Sequence, residues 1–88
     1  MVKYQVKFKS SAAKELKSLP SNIIQKIKRV INEQLTENPR TLGVIKLQGD
    51  DKLYRIRVGE YRIVFEIDDS NKILKITRVR HRQDVYKK

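Results

Sequence analysis

The chain has 88 residues and a mass of 10.4 kDa, which suits one domain and leaves no room for a second hydrophobic core. It contains no cysteine and one histidine, which excludes disulfides, thiolate chemistry and a histidine-rich metal site within one chain. Its formal net charge of +11 predicts a polyanionic partner: nucleic acid, an acidic protein or an anionic membrane surface. No stretch is apolar enough for a transmembrane helix or a signal peptide, so we expect a cytoplasmic protein.

The first half of the chain predicts a strand followed by two helices. Residues 3–9 alternate polar and apolar side chains, as a half-buried strand does. Residues 12–19 predict a short helix, and the apolar stripe of residues 21–37 predicts a second helix that begins after Pro20. Two helices joined by one proline turn favour an antiparallel hairpin.

The second half of the chain predicts antiparallel strands. Residues 44–47 predict a short extended stretch. Polar and apolar side chains alternate in residues 53–58 and again in residues 61–67, on either side of a turn at Gly59. Residues 72–80 predict a further strand. The sequence therefore predicts an α+β domain: an N-terminal strand, a helix hairpin, and then a three- to four-stranded, mostly antiparallel sheet covered by the helices on one face.

The arginines are concentrated in this second half. Six of the eight lie between Arg55 and Arg82, whereas the first half has mostly lysine. Since side chains alternate along a strand and the apolar faces must meet the helices, Arg55, Arg57 and Arg62 are expected on the open face. Like charges so close together repel unless an anion is present, so the cluster predicts a phosphate site. The alternative is a solvated face with Glu66 as counter-ion.

The last predicted strand has an irregular apolar pattern. In a regular strand Ile76, Arg78 and Arg80 would share one face, whereas Val79 would lie on the other face. A β-bulge would account for this change, and the face that carries Arg78 and Arg80 stays open at this stage.

Two segments of the chain resemble a known family. The hairpin sequence LYRIRVGEYRIVF and the tail VRHRQDVY resemble the RelE-like branch of the RelE/ParE toxin superfamily, and IKLQG is similar to the KLxG element that precedes its hairpin. Arg80 stands where many relatives have glycine. The resemblance implies one RelE-like toxin domain over residues 1–88, acting as a ribosome-dependent endoribonuclease. Such toxins cut mRNA in the ribosomal A site by metal-independent attack of a 2′-hydroxyl, which inhibits translation.

Motif positions in this family imply the catalytic side chains. Four arginines and one tyrosine are assigned in this way: Arg55, Arg57, Arg62, Arg82 and Tyr86. Arginine does not lose its proton at usable pH, so the arginines hold phosphate or stabilise its charge, and the base is another group. The candidates are Tyr86, His81 and Glu66. Each has a structural alternative: a packing anchor for Tyr86, a surface or helix-capping residue for His81, and a counter-ion for Glu66.

Further cations and the partners complete the prediction. Residues assigned to RNA binding are Lys26, Lys28, Arg29, Arg78 and Arg80, the first three as contacts to 16S ribosomal RNA. The resemblance implies an acidic RelB-like antitoxin, operator DNA bound through the toxin–antitoxin complex, and neither a metal, a cofactor nor a membrane partner. A ParE-type inhibitor of DNA gyrase with the same fold and an RNA-binding module without chemistry are the alternatives. The combination of Arg62, Arg82 and Tyr86 favours the nuclease.

Overall fold

In the computed structural model of the chain, residues 3–47 and 52–81 are described. They form five strands and two α-helices in the order β1 (Gln5–Phe8), α1 (Ser10–Lys17), α2 (Ser21–Val30), β2 (Ile45–Lys46), β3 (Leu53–Val58), β4 (Tyr61–Asp68) and β5 (Ile73–His81). The predicted α+β class is confirmed. No helix in these two ranges is long and apolar enough to cross a bilayer.

The strands form one sheet in the order β1-β5-β4-β3-β2. β1 pairs with β5 in parallel, and every other neighbouring pair in this sheet is antiparallel. The four strands after the helices match the upper end of the prediction, and β1 adds a fifth strand at one edge.

The hydrophobic core lies between the helices and one face of the sheet. In β4 the side chains alternate, so that Ile63, Phe65 and Ile67 are buried while their neighbours on the other face are half-buried. The helices contribute Leu16 and Ile27 to the same core. The two helices therefore leave the opposite face of the sheet open, and it is the face on which the hairpin arginines were expected.

The second helix does not remain α-helical to its predicted end. α2 continues as a π-helical segment, Ile31–Leu35, in which the Thr36 N–H donates to the Ile31 carbonyl at 3.1 Å. This wider turn keeps both Ile31 and Leu35 buried. The Thr36 carbonyl accepts the Tyr4 N–H at 2.9 Å, which ties the end of the helix to the start of β1.

The turn between β3 and β4 requires glycine at its first position. Val58 pairs with Tyr61, so Gly59 and Glu60 form the whole turn, and Gly59 has a φ of +60°. A Cβ at this position would meet the Lys26 Nζ at 3.8 Å, an ordinary contact. The cost of another residue is therefore the left-handed backbone itself, about 1–2 kcal/mol.

An exposed ion pair fixes the loop between α2 and β2. The Arg40 Nη1 and Nη2 atoms donate to the Asp69 carboxylate at 3.1 and 2.9 Å. The Tyr4 hydroxyl donates to the Asp69 Oδ1 at 2.6 Å, and the Arg40 guanidinium lies 5.3 Å from the centre of the Tyr54 ring. The Arg40 bonds, followed by the Tyr4 bond, lower the pKa of Asp69 to about 2. These contacts join the loop, β1 and the β4–β5 turn.

This ion pair predicts how stability depends on pH. An aspartate of the unfolded chain has a pKa of about 3.9, so the lower folded-state value stabilises the fold above that pH. The contribution is lost as the pH falls towards the folded pKa of about 2. We expect Asp69→Asn to lower the free energy of unfolding at pH 7 and to flatten its decline between about pH 4 and 2. Urea denaturation of both proteins across this range measures the difference, and identical slopes would contradict it.

Candidate functional site

Arginines of three strands share the face of the sheet that the helices leave open. Arg57, Arg62 and Arg80 lie directly opposite one another on β3, β4 and β5. The next row places one arginine of β3 and one of β5 on either side of Val64. We call this set the arginine face, and its members are Arg55, Arg57, Arg62, Arg78 and Arg80.

A β-bulge brings the arginines of β5 onto this face. Residues 64 and 65 of β4 are consecutive, but their partners on β5 are Arg78 and Ile76. Thr77 is therefore an extra residue in β5, and its hydroxyl donates to the Val64 carbonyl at 3.2 Å. The predicted bulge is confirmed. Without the bulge, Arg78 and Arg80 would lie on the same face of β5 as the buried Ile76 and would point towards the core.

A shallow concavity lies within the arginine face. Its volume is about 220 Å³, and it is lined by Gly43, Ile45, Arg55, Arg57 and Arg62. The expectation that these three arginines share the open face is confirmed by the strand register. The Arg57 Nε donates to the Gly59 carbonyl at 2.9 Å, which orients that guanidinium. Arginines on neighbouring strands repel one another and offer planar donors, so the concavity is suited to a phosphate.

Glu15 of α1 binds the outer edge of β5. Its Oε1 accepts the Val79 N–H at 2.9 Å, and its Oε2 lies 3.2 Å from the Arg80 Nε and 3.8 Å from the Arg78 Nη1. β1 ends at Phe8, before it reaches this part of β5, so the carboxylate takes the place of a neighbouring strand. Sequence analysis missed Glu15 because it stands among helix lysines and no local pattern marks its contact.

Of the remaining predicted catalytic residues the structure describes His81, which does not lie on the arginine face. His81 pairs with Tyr61 on the helix side of the sheet, where the two rings meet edge to face with centres 5.1 Å apart. Arg82 and Tyr86 lie outside the described residues. The catalytic roles of these three residues stay predictions.

The predicted RNA-binding residues fall into two groups. Arg78 and Arg80 lie on the arginine face, whereas Lys26, Lys28 and Arg29 are exposed on α2. Arg29 forms an ion pair with Glu33 at 3.7 Å. The helix that carries these cations packs on the other side of the sheet, and the Lys26 Nζ reaches the β3–β4 turn beside Gly59.

Comparison with known proteins identifies the family. The model of a family described as the ParE toxin of the type II toxin–antitoxin system parDE matches residues 6–86. The chain belongs to the RelE/ParE toxin superfamily. Toxin RelE3 of Methanocaldococcus jannaschii is 36% identical to this toxin over 85 residues, which cover 93% of this chain and 94% of that protein.

Solved structures of the superfamily share the fold of this toxin. A chain of the toxin–antitoxin complex RelBE2 from Mycobacterium tuberculosis gives a TM-score of 0.82 at 29% identity, over 92% of this chain and 100% of that chain. The isolated Escherichia coli RelE toxin gives a TM-score of 0.78 at 28% identity, over 89% of this chain and 83% of that chain. The superfamily predicted from the hairpin and tail motifs is confirmed.

Two substitutions at Glu15 separate its charge from its hydrogen bond. Glu15→Gln keeps an oxygen for the Val79 N–H, and we expect it to change the free energy of unfolding by less than about 1 kcal/mol. Glu15→Ala leaves that N–H without its acceptor and should cost about 1–3 kcal/mol. Urea denaturation of both variants measures this order. Equal losses in the two variants would show that the ion pairs, and not the bond to β5, fix the helix.

Proposed function

We propose that this toxin is a ribosome-dependent endoribonuclease that cuts mRNA in the ribosomal A site and so inhibits translation. The observation that carries the proposal is the row of arginines that three paired strands present on one open sheet face. The similarity to toxins named RelE supports it. Arginines on neighbouring strands repel one another and offer planar donors, so a face of this kind favours a bound phosphate.

Attack by a ribose 2′-hydroxyl on the adjacent phosphorus builds negative charge on the phosphate oxygens. Fixed guanidinium groups stabilise that charge, so this reaction does not require a metal ion. We assign this role to Arg55, Arg57 and Arg62, which line the concavity. By motif position, Arg82 would add a further phosphate contact, and Tyr86 and His81 are candidates for proton transfer.

The other cations would hold the toxin against ribosomal RNA. Lys26, Lys28 and Arg29 on α2, with Arg78 and Arg80 at the edge of the arginine face, can neutralise phosphates without reading sequence. Such contacts make the affinity depend strongly on salt.

The proposed inhibitor is an acidic, RelB-like antitoxin. The similar M. tuberculosis structure is described as a toxin–antitoxin complex. In this toxin, Leu42 and Ile45 are 98% and 53% exposed, and Ile45 lines the arginine concavity. A segment with apolar and acidic side chains would cover both features and block the arginines. We place the complex in the cytoplasm, where it would also bind operator DNA, and we propose no membrane partner.

Inhibition of DNA gyrase is the second candidate function, because the matching family model is described as a ParE toxin. In that case the arginine face would contact gyrase, and the toxin would cleave no RNA. Removing the charges of the face would then weaken the binding to gyrase. The similarity to RelE-named toxins favours the nuclease.

Replacing Arg62 tests the proposed function. We expect Arg62→Ala to lower the rate of mRNA cleavage in a purified translation system by about 10²-fold or more, because it removes a cation from the reacting phosphate. The charge-matched control is Lys17→Ala, which removes an exposed cation from the end of α1 and should leave the rate nearly unchanged. Primer extension over time measures both rates.

Two results decide between the candidates. Retained binding of Arg62→Ala to the antitoxin shows that the variant is folded, and cleavage by it at the wild-type rate would contradict the nuclease proposal. Inhibition of gyrase supercoiling by the wild type, with no cleavage of translated mRNA, would establish the second candidate instead.

A further inference from the structure

We propose that Glu66 is the general base of the cleavage reaction. This inference rests on the proposed ribonuclease function, and it supplies the proton acceptor that the arginines cannot provide. The carboxylate would take the proton of the ribose 2′-hydroxyl while the neighbouring arginines hold the phosphate.

Glu66 lies on the open face of β4, two residues after Val64. Its partners across the sheet are Leu53 on β3 and Lys75 on β5. Arg55 is therefore its diagonal neighbour, and such neighbours have Cα atoms about 7–8 Å apart. A phosphodiester bound by the Arg55 guanidinium would lie over Val64, with its ribose within reach of the Glu66 carboxylate.

The Glu66 carboxylate is not used by the fold. It is half-buried, yet within residues 3–47 and 52–81 it makes no hydrogen bond and no ion pair. The guanidinium groups of Arg78 and Arg80 lie instead beside Glu15, on the outer edge of β5. A counter-ion would contact a cation of the face, so this geometry supports a carboxylate kept available for a ligand.

Other groups on this face are poorly suited to accept the proton. Among the described strand residues of the face, Asp68 carries the second carboxylate, and both of its oxygens bind Asn71, at 3.0 and 2.9 Å. Lys7 and Lys75 are exposed, and their ammonium groups offer hydrogen-bond donors that suit contacts to phosphate. His81 lies on the other side of the sheet.

The surroundings of Glu66 leave space for a nucleotide. It lines a concavity of about 660 Å³ together with Lys7, Lys52 and Lys75. Leu53 and Val64 on the same face are half-buried and offer apolar surface to a ribose. An RNA strand that runs from Arg62 over Arg55 towards Lys75 would therefore bind Arg55 through a phosphate and then pass Glu66.

The proposed step transfers the phosphorus from the 5′-oxygen to the 2′-oxygen within one RNA strand. Glu66 takes the proton from the 2′-hydroxyl, the 2′-oxygen forms a bond to the adjacent phosphorus, and the bond from phosphorus to the 5′-oxygen breaks. The leaving 5′-oxygen takes a proton from solvent water, and Glu66 later returns its proton to solvent. The products are a 2′,3′-cyclic phosphate and a 5′-hydroxyl.

The test is single-turnover cleavage of mRNA on programmed ribosomes, with the toxin concentration varied to separate the rate of chemistry from binding. We expect Glu66→Gln to lower the rate at saturation by about 10²–10⁴-fold, the usual contribution of general base catalysis. Because it removes a negative charge from a cationic face, its binding should be equal or tighter. Glu66→Asp keeps a carboxylate but displaces it. Its rate at saturation should lie between the rates of the wild type and of Glu66→Gln. Glu37→Gln is the matched control, since it makes the same substitution at an exposed carboxylate that does not line the concavity, and it should keep the wild-type rate.

The outcomes separate this inference from the proposed function. Wild-type cleavage with an unchanged or faster rate in Glu66→Gln would overturn the role of Glu66 and leave the nuclease proposal standing. No cleavage by the wild type would overturn both. Equal losses in Glu66→Gln and Glu37→Gln would show a general effect of charge and would also overturn the role of Glu66.

Discussion

Directly opposed arginine residues are the constraint on which this structure depends. Arg57, Arg62 and Arg80 occupy one row across three hydrogen-bonded strands, where directly opposite Cα atoms are about 5 Å apart. Their repulsion opposes the pairing that holds them, so the stability of the sheet must come from its other face. There, Ile63 and Phe65 are fully buried against the helices. The same strands therefore stabilise the fold on one side and concentrate positive charge on the other.

Contacts at the edges of the arginine face manage this charge. The Gly59 carbonyl orients Arg57, and Glu15 draws Arg78 and Arg80 to the outer edge of β5. Between these contacts lie Arg55 and Arg62, which line the concavity. An anion bound there would relieve the repulsion and stabilise the folded toxin, so binding and stability are linked at this surface.

Sequence periodicity predicted the parts of the site that depend on strict alternation. The faces of Arg55, Arg57 and Arg62 follow from the period of two in β3 and β4. In β5 the parity change indicated a bulge, but placing it at Thr77 requires the register against β4, which is a long-range property. Glu15 could not be predicted, because its contact with β5 depends on where β1 ends in the folded sheet. The π-helical end of α2 has the same apolar spacing as an α-helix and was missed for that reason.

The most direct measurement is primer extension on an mRNA in a purified translation system, with the wild-type toxin and with or without ribosomes. The proposed function predicts cuts within A-site codons when ribosomes are present, and an intact message when they are absent. The same cuts on free RNA would contradict the dependence on the ribosome. An intact message in both reactions would contradict the central claim that the arginine face acts on RNA phosphate.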